Sequence, residues 1–195
     1  MNRSERKDYY RYLGPESYED AWINGGKIRL TAISTYKRAE RKGIYTIDEG
    51  LIHDSTEDLY NHPIVKFQRG AQVKSFSFTG SLNGKELPKI VNAKLIHEGG
   101  AVLCFSSELS SELMHRFEKT RCIKINDMAG LLKIIDGQLK TKGQMGWCEY
   151  TKNWQRHHFL KSDEDAWQKE FRLFWKNLGN TFVEIPPGVG TEMTV

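Results

Sequence analysis

Apolar and polar positions alternate at a period of two through much of this chain, the spacing of half-buried strands, and only short stretches switch to helical spacing. The first alternation, "DYYRYLG", predicts a short strand ending at the Gly14-Pro15 turn signal. "ESYEDAWING" reads as a short helix with Ser17 as cap, Glu19 and Asp20 in its first turn and Gly25-Gly26 at its close. "KIRLTAIST" is a strand with Ile28, Leu30 and Ala32 on one side and Arg29, Thr31 and Ile33 on the other. "AQVKSFSFTG" alternates as well and leads into a turn at "SLNGKELP". The continuous apolar run "GAVLCFSS" after Gly99 predicts a buried central strand. "ELSSELMHRFEKT" carries Leu109, Leu113, Met114 and Phe117 on one helical face, "RCIKIND" is a strand, and "MAGLLKIIDGQL" is a helix ending near Gly137. "GQMGWCEYT", "EFRLFWKN" and "TFVEIPP" make the last third rich in strands. From Tyr36 to about His62 the chain is polar, charged and broken by Gly43, Gly50 and Asn61-His62-Pro63, which predicts a long polar excursion over 36–66.

Strands with interspersed helices, in no strict βαβα rhythm, predict an α+β fold with mostly antiparallel central strands split into two small sheets. A chain of 195 residues suits one domain over 1–195, with 1–8 as a flexible charged leader. At 28% charged and 38% hydrophobic residues the composition is globular and not disordered. No apolar run approaches the roughly 18 residues that span a bilayer, and the N-terminus lacks the apolar core of a signal peptide. Cytoplasmic residence without a membrane partner is the expectation. Cys104, Cys122 and Cys148 form no CxxC pair, which predicts buried thiols and neither a zinc site nor a disulfide framework. The net charge of +4 is dispersed along the chain, so it fits an ordinary surface and does not demand a nucleic acid.

The chain has no phosphate loop, no GxGxxG after a strand, no HExxH and no nucleophile elbow. Adjacent His157 and His158 would face opposite ways on a strand, and they read as surface histidines. Asp163, Glu164 and Asp165 read as a loop or helix start, so no metal is expected. "WQKEFRLFW" carries more information. On a strand, Gln168 and Glu170 share a face about 7 Å apart and can grip opposite sides of one ligand. Glu170 would anchor a ribose hydroxyl or stabilise an oxocarbenium-like centre, and Gln168 would orient a nucleophile. The plain alternative is a solvent-facing cross-strand ladder of Glu170 and Arg172. Arg11, between aromatic residues on the first strand, has the planar guanidinium suited to a phosphate. Ser106-Ser107 end an apolar strand just before a helix, where Ser107 also suits a cap. Ser34-Thr35 followed by Tyr36 form a second hydroxyl cluster at a strand end.

In order along the chain, Arg on a first strand, Ser/Thr at a later strand end and Gln-x-Glu near the C-terminus resembles the Arg–Ser–Glu scheme of ADP-ribosyltransferases, including the DarT-like branch. "YRYL…GGKIRLTA", "GAVLCFSS…LMHRF" and "FLKS…WQKEFRLFW" also resemble a large bacterial and phage domain family showing Y-R/K-Y, then L-x-F-S, then C-F-S followed by a helix, then K-x-x-x-W-x-x-E-x-R. Two departures stand out. "TYKRAER" replaces that family's Asn-Asp-Pro, and Lys161 lies two residues further from Trp167 than its pattern, so no role carries over to Lys161.

The transferase resemblance implies NAD as substrate, with Arg11 on its diphosphate or ribose and Glu170 bonded to the nicotinamide ribose. The buttressing serine would be Ser106 or Ser107, or else Ser34-Thr35. Ser106 is preferred because strand–helix–strand follows it. Tyr36, Tyr45 or Phe105 would stack on the nicotinamide, and Gln168 points to an acceptor other than arginine. The implied function is ADP-ribose transfer to a protein or nucleic acid, in phage–bacterium conflict as a toxin or antiviral defence. The rival readings are a non-catalytic binding or inhibitor protein on the same scaffold, and a nucleic-acid-binding protein using its five tryptophans.

Overall fold

The computed structural model describes residues 8–15, 20–36, 50–67 and 72–195. Residues 1–7 of the predicted leader, together with Ser17, Glu19, Gly43 and Tyr45, lie outside the described residues.

In chain order come β1 (Tyr10–Leu13), α1 (Ala21–Asn24), β2 (Gly26–Ala32), α2 (Ile33–Tyr36), β3 (Leu51–Asp54) and β4 (Val73–Phe78). The hairpin β5 (Ser81–Leu82) and β6 (Lys85–Glu86) turns through Asn83-Gly84, both at positive φ, and answers the turn expected at "SLNGKELP". Then follow β7 (Ile90–His97), β8 (Gly100–Ser106), α3 (Ser111–Arg116), β9 (Arg121–Ile125) and α4 (Met128–Leu139). The C-terminal part holds β10 (Gln144–Trp147), β11 (Glu149–Thr151), β12 (Leu160–Ser162), a 3-10 helix (Asp163–Gln168), β13 (Glu170–Lys176), β14 (Thr181–Ile185) and β15 (Gly190–Met193).

The fold is α+β, with a few helices and mostly antiparallel strands in several sheets. Its main sheet has eight strands and runs β10-β13-β8-β1-β9-β15, with β2 joining β8 and β14 joining β2. Where the sequence predicts two small sheets, eight strands form one larger sheet that forks at β8, with smaller sheets beside it. On one edge β8 pairs with β13 along its length, from Glu170↔Ser106 to Lys176↔Gly100. On the other edge β1 meets it at Tyr10↔Ser106, and β2 meets it at Thr31↔Val102 and Ala32↔Ala101. Between these junctions Arg11 Nη1 donates 3.0 Å to the Cys104 carbonyl, supplying a hydrogen bond where the two strands have diverged. A separate sheet runs β3-β7-β4.

Both faces of the main sheet are covered. Leu13, Leu103, Phe105, Ile123, Phe171 and Trp175 pack on one side with Trp22 and the buried residues Met128, Leu131 and Ile135 of α4. On the other side Tyr10, Tyr12 and Cys122 pack with Leu113 of α3 and with Trp167, while Val102 and Phe174 pack with Ile33 of α2 and Phe159. Gly100 is needed for this close layering, since a Cβ there would sit 2.3 Å from Phe174 Cε2 and 2.6 Å from the Trp175 carbonyl oxygen.

At three places the fold departs from or adds to the sequence reading. Of the excursion over 36–66, residues 37–49 lie outside the described residues, and its described part holds β3, buried His53, Ser55, Leu59 and His62, and a turn in which His62 Nδ1 accepts from the Ile64 and Val65 amides. β7 was not foreseen, because Asn92 at φ 48 and the adjoining register shifts break its alternation, leaving Ile90, Ala93 and Leu95 buried at unequal spacing. "KIRLTAIST" leaves strand geometry after Ala32 and turns into α2, so Ser34 and Thr35 are helical.

Candidate functional site

"WQKEFRLFW" does not form one strand. Ser162 caps a 3-10 helix that runs through Gln168, and Lys169 at φ 44 then reverses the backbone before β13 begins at Glu170. Trp167 therefore packs against Phe117 in the α3 cluster, while Phe171 enters the main core. Nor has β13 a solvent-facing side: its residues from Glu170 to Trp175 are all buried. Glu170 is 4% exposed and Arg172 3%, which replaces the expected solvent-facing ladder with a buried ion pair.

Glu170 and three other ionic side chains, Arg172, Lys161 and Asp165, converge. Arg172 donates to both carboxylate oxygens, Nε to Oε1 at 2.6 Å and Nη2 to Oε2 at 3.2 Å. Lys161, on β12, donates to Glu170 Oε2 at 2.9 Å and to Gln168 Oε1 at 2.8 Å, and lies 3.7 Å from Asp165 Oδ2. Gln168 Nε2 in turn faces Asp165 Oδ1 at 3.4 Å. Two carboxylates and two cations balance formally, which is the condition for keeping charges away from water, where each unpaired ion costs several kcal/mol. Burial by itself raises the Glu170 pKa, but the Arg172 and Lys161 charges outweigh it and hold the carboxyl down at about 2. Glu170 is thus ionised at any ordinary pH. Its amide donates 2.9 Å to the Tyr150 hydroxyl, and burial pushes that phenol well above its ordinary range.

Arg172 Nη1 also donates 3.1 Å to the carbonyl of His158. Contrary to the surface reading, His158 is buried, stacked on Phe174 at 3.8 Å between ring centroids, with Nε2 2.8 Å from Glu98 Oε2. Burial lowers its pKa, more strongly than Glu98 raises it.

The registers place the other expected site residues. Tyr10, Ser106 and Glu170 are direct cross-strand partners on adjacent strands and share one face. Ser106 is buried, and its Oγ accepts from the Glu108 amide at 3.2 Å. Ser107 is half-buried, its amide bonded to the Lys169 carbonyl at 3.0 Å. Arg11 is one residue out of that row and faces the other way. Its guanidinium lies 4.9 Å from the Trp22 ring centroid and 5.8 Å from that of Phe105, in the main core. The predicted Arg11–Ser106–Glu170 set is therefore not assembled on one face.

Phe105 is packed edge-on to Trp22 in the core and cannot stack on a nicotinamide. Ser34 and Thr35 follow the end of β2, where Ala32 pairs with Ala101 near the start of β8, away from Ser106 at its other end, and Thr35 pairs with Asn180. Tyr36 closes α2. Gln168 and Glu170 do meet, through Lys161 and not as strand neighbours.

Lys161, Asp165, His158 and the Arg172 clamp were missed as site members. The one signal in the sequence was "FLKS" upstream of "WQKEFR", hidden by its two-residue offset from the resembled pattern. Among the described residues, no group of three or more His, Cys, Asp or Glu side chains is placed to hold a metal ion, and no helix is long and apolar enough to cross a membrane. No family model matches the chain, and no curated protein or solved structure matches it.

Proposed function

We propose that the chain is an ADP-ribosyltransferase-like protein that binds NAD and transfers ADP-ribose to a protein or nucleic-acid acceptor, in the setting of phage–bacterium conflict. One observation carries this reading. Three short motifs far apart in sequence lie on the neighbouring strands β1, β8 and β13, with Tyr10, Ser106 and Glu170 in one row. In the transfer, the bond between nicotinamide and the ribose C1′ breaks, its electron pair leaves with nicotinamide, and an acceptor nucleophile bonds to C1′ and gives up its proton. Cleavage develops positive charge on the ribose. A permanently ionised Glu170 is suited to stabilise that charge, and fixed charges in a dry site do so most strongly. Arg11 has no part in this version, because it faces the core.

The test is incubation with NAD labelled in its adenylate half, alone and with cell lysate, comparing wild type with Ser106→Ala and Glu170→Gln. Wild-type labelling with release of nicotinamide, lost in folded Glu170→Gln, supports transfer.

A second reading, a non-catalytic binding protein on the same scaffold, is favoured by a different observation. Both oxygens of Glu170 are already taken by Arg172 and Lys161. Labelling that is absent, or equal in wild type and Glu170→Gln, selects that reading.

A further inference from the structure

We propose that Lys161 is the positioning residue of the Glu170 site: a single ammonium that fixes Glu170 and Gln168 relative to each other and is not itself a ligand contact. The proposal rests on the transferase reading only for what the positioned carboxylate would act on.

A lysine ammonium has three protons and no acceptor. Here three oxygens from three residues surround it: Gln168 Oε1 at 2.8 Å, Glu170 Oε2 at 2.9 Å and Asp165 Oδ2 at 3.7 Å. The residue is 6% exposed, so the ammonium gives up water for these partners. Two of these oxygens, on Gln168 and Glu170, accept hydrogen bonds from it and the third, on Asp165, is at ion-pair distance, and they come from two elements that the backbone sends in different directions. Asp165 and Gln168 end a 3-10 helix, Glu170 starts β13, and Lys169 at φ 44 reverses the chain between them. No strand pairing fixes Gln168 against Glu170 across that reversal. Lys161 does so from a third element, β12, which is held parallel to β11 through Tyr150↔Lys161. Arg172 grips the same carboxylate from within β13 and sets the ionisation and side-chain direction of Glu170. A planar guanidinium at position 161 would not place one compact charge against both acceptors and Asp165, so arginine is a poor substitute.

The test follows carboxyl ¹³C signals and lysine ammonium exchange by NMR. Removing the cation alone would leave an unbalanced buried anion, so the informative variant is the charge-balanced Lys161→Met/Asp165→Asn. In wild type, the Glu170 carboxyl is expected to show no titration down to pH 3. In the variant its midpoint is expected to rise by about one to three pH units, the effect of losing a cation within hydrogen-bond distance. The Gln168 side-chain amide protons are expected to become fast-exchanging. A Glu170 carboxyl that still does not titrate, together with an unchanged Gln168 amide, overturns the proposal. Wild type provides an independent decision should the variant not fold: protected Lys161 ammonium protons support the role, and exchange as fast as that of surface lysines overturns it. Absence of any NAD response in wild type counts against the transferase reading, and the carboxyl and ammonium signals still decide the role of Lys161.

Discussion

Arg11 and Glu170 sit on opposite faces of one sheet, one register row apart, with β8 between their strands. Their nearest common element is Cys104: its carbonyl accepts from Arg11, and its thiol supplies a hydrogen bond that helps lower the Glu170 pKa. Arg11 thus serves the fork of the sheet, while Glu170 serves the buried cluster beyond it.

Replacing Arg11 by Met keeps the aliphatic stem against Trp22 and Phe105 but leaves the Cys104 carbonyl without its donor at the fork. The expected cost is about 1–3 kcal/mol. Urea denaturation should show a lower midpoint with an unchanged slope. Any NAD response of the wild type should persist in the folded variant, because the substitution lies on the other face from Glu170.

Glu170→Gln removes one partner of a buried ionic network and leaves Arg172 and Lys161 short of an anion. A loss of about 3–5 kcal/mol is expected. Glu170→Met/Arg172→Met removes a cation and an anion together, leaving Lys161 with Asp165, and should recover most of that loss. Chemical denaturation of the two variants side by side checks the ordering.

His158 makes stability depend on pH. Its folded pKa lies below that of the unfolded chain because burial disfavours the imidazolium, so the unfolded state binds more protons. Its contribution is complete when His158 is neutral in both states. It is lost as pH falls below the unfolded value of about 6.5 and levels off below the folded pKa. Charged neighbours act in both directions: Glu98 raises the His158 pKa, while Arg172 and His157 lower it. Lys176 meets Glu98 from β13, and Glu98, itself held below its ordinary range, loses its contribution only at lower pH. The melting temperature should decline from neutral pH toward pH 5, and His158→Gln should flatten that decline.

Gly100→Ala tests the layering of β8 on β13, where a Cβ would meet the ring of Phe174 and the Trp175 carbonyl. Overpacking of this kind costs about 1–3 kcal/mol, read as a lower melting temperature. A melting temperature equal to that of wild type would contradict the close approach.

Regular alternation made the strands legible wherever it was unbroken: "YRYL", "GAVLCFS", "RCIKI" and "EFRLFWK" became β1, β8, β9 and β13. β7 escaped because a bulge at Asn92 shifts which residues point inward. The candidate site was legible only as residue types. Gln168-x-Glu170 looked like a strand pair because nothing in a period of two announces that Lys169 adopts left-handed backbone. Arg11 and Glu170 looked like partners because their strands are near neighbours in the sheet, but which face each side chain takes depends on registers set across separate strands. The burial of Arg172, Lys161 and His158 had no local signal, since charged residues are rarely inside without partners, and their partners lie in other elements.

The most direct measurement of the proposed function is the melting temperature of the wild-type chain across an NAD titration, with Ser106→Ala and Arg11→Met alongside. A ligand bound only by the folded state at a hundred times its Kd adds about 2.7 kcal/mol. The row of Tyr10, Ser106 and Glu170 predicts a saturable rise that Ser106→Ala weakens and Arg11→Met leaves in place. A melting temperature unmoved by millimolar NAD, or a rise lost in folded Arg11→Met and kept in Ser106→Ala, would contradict it.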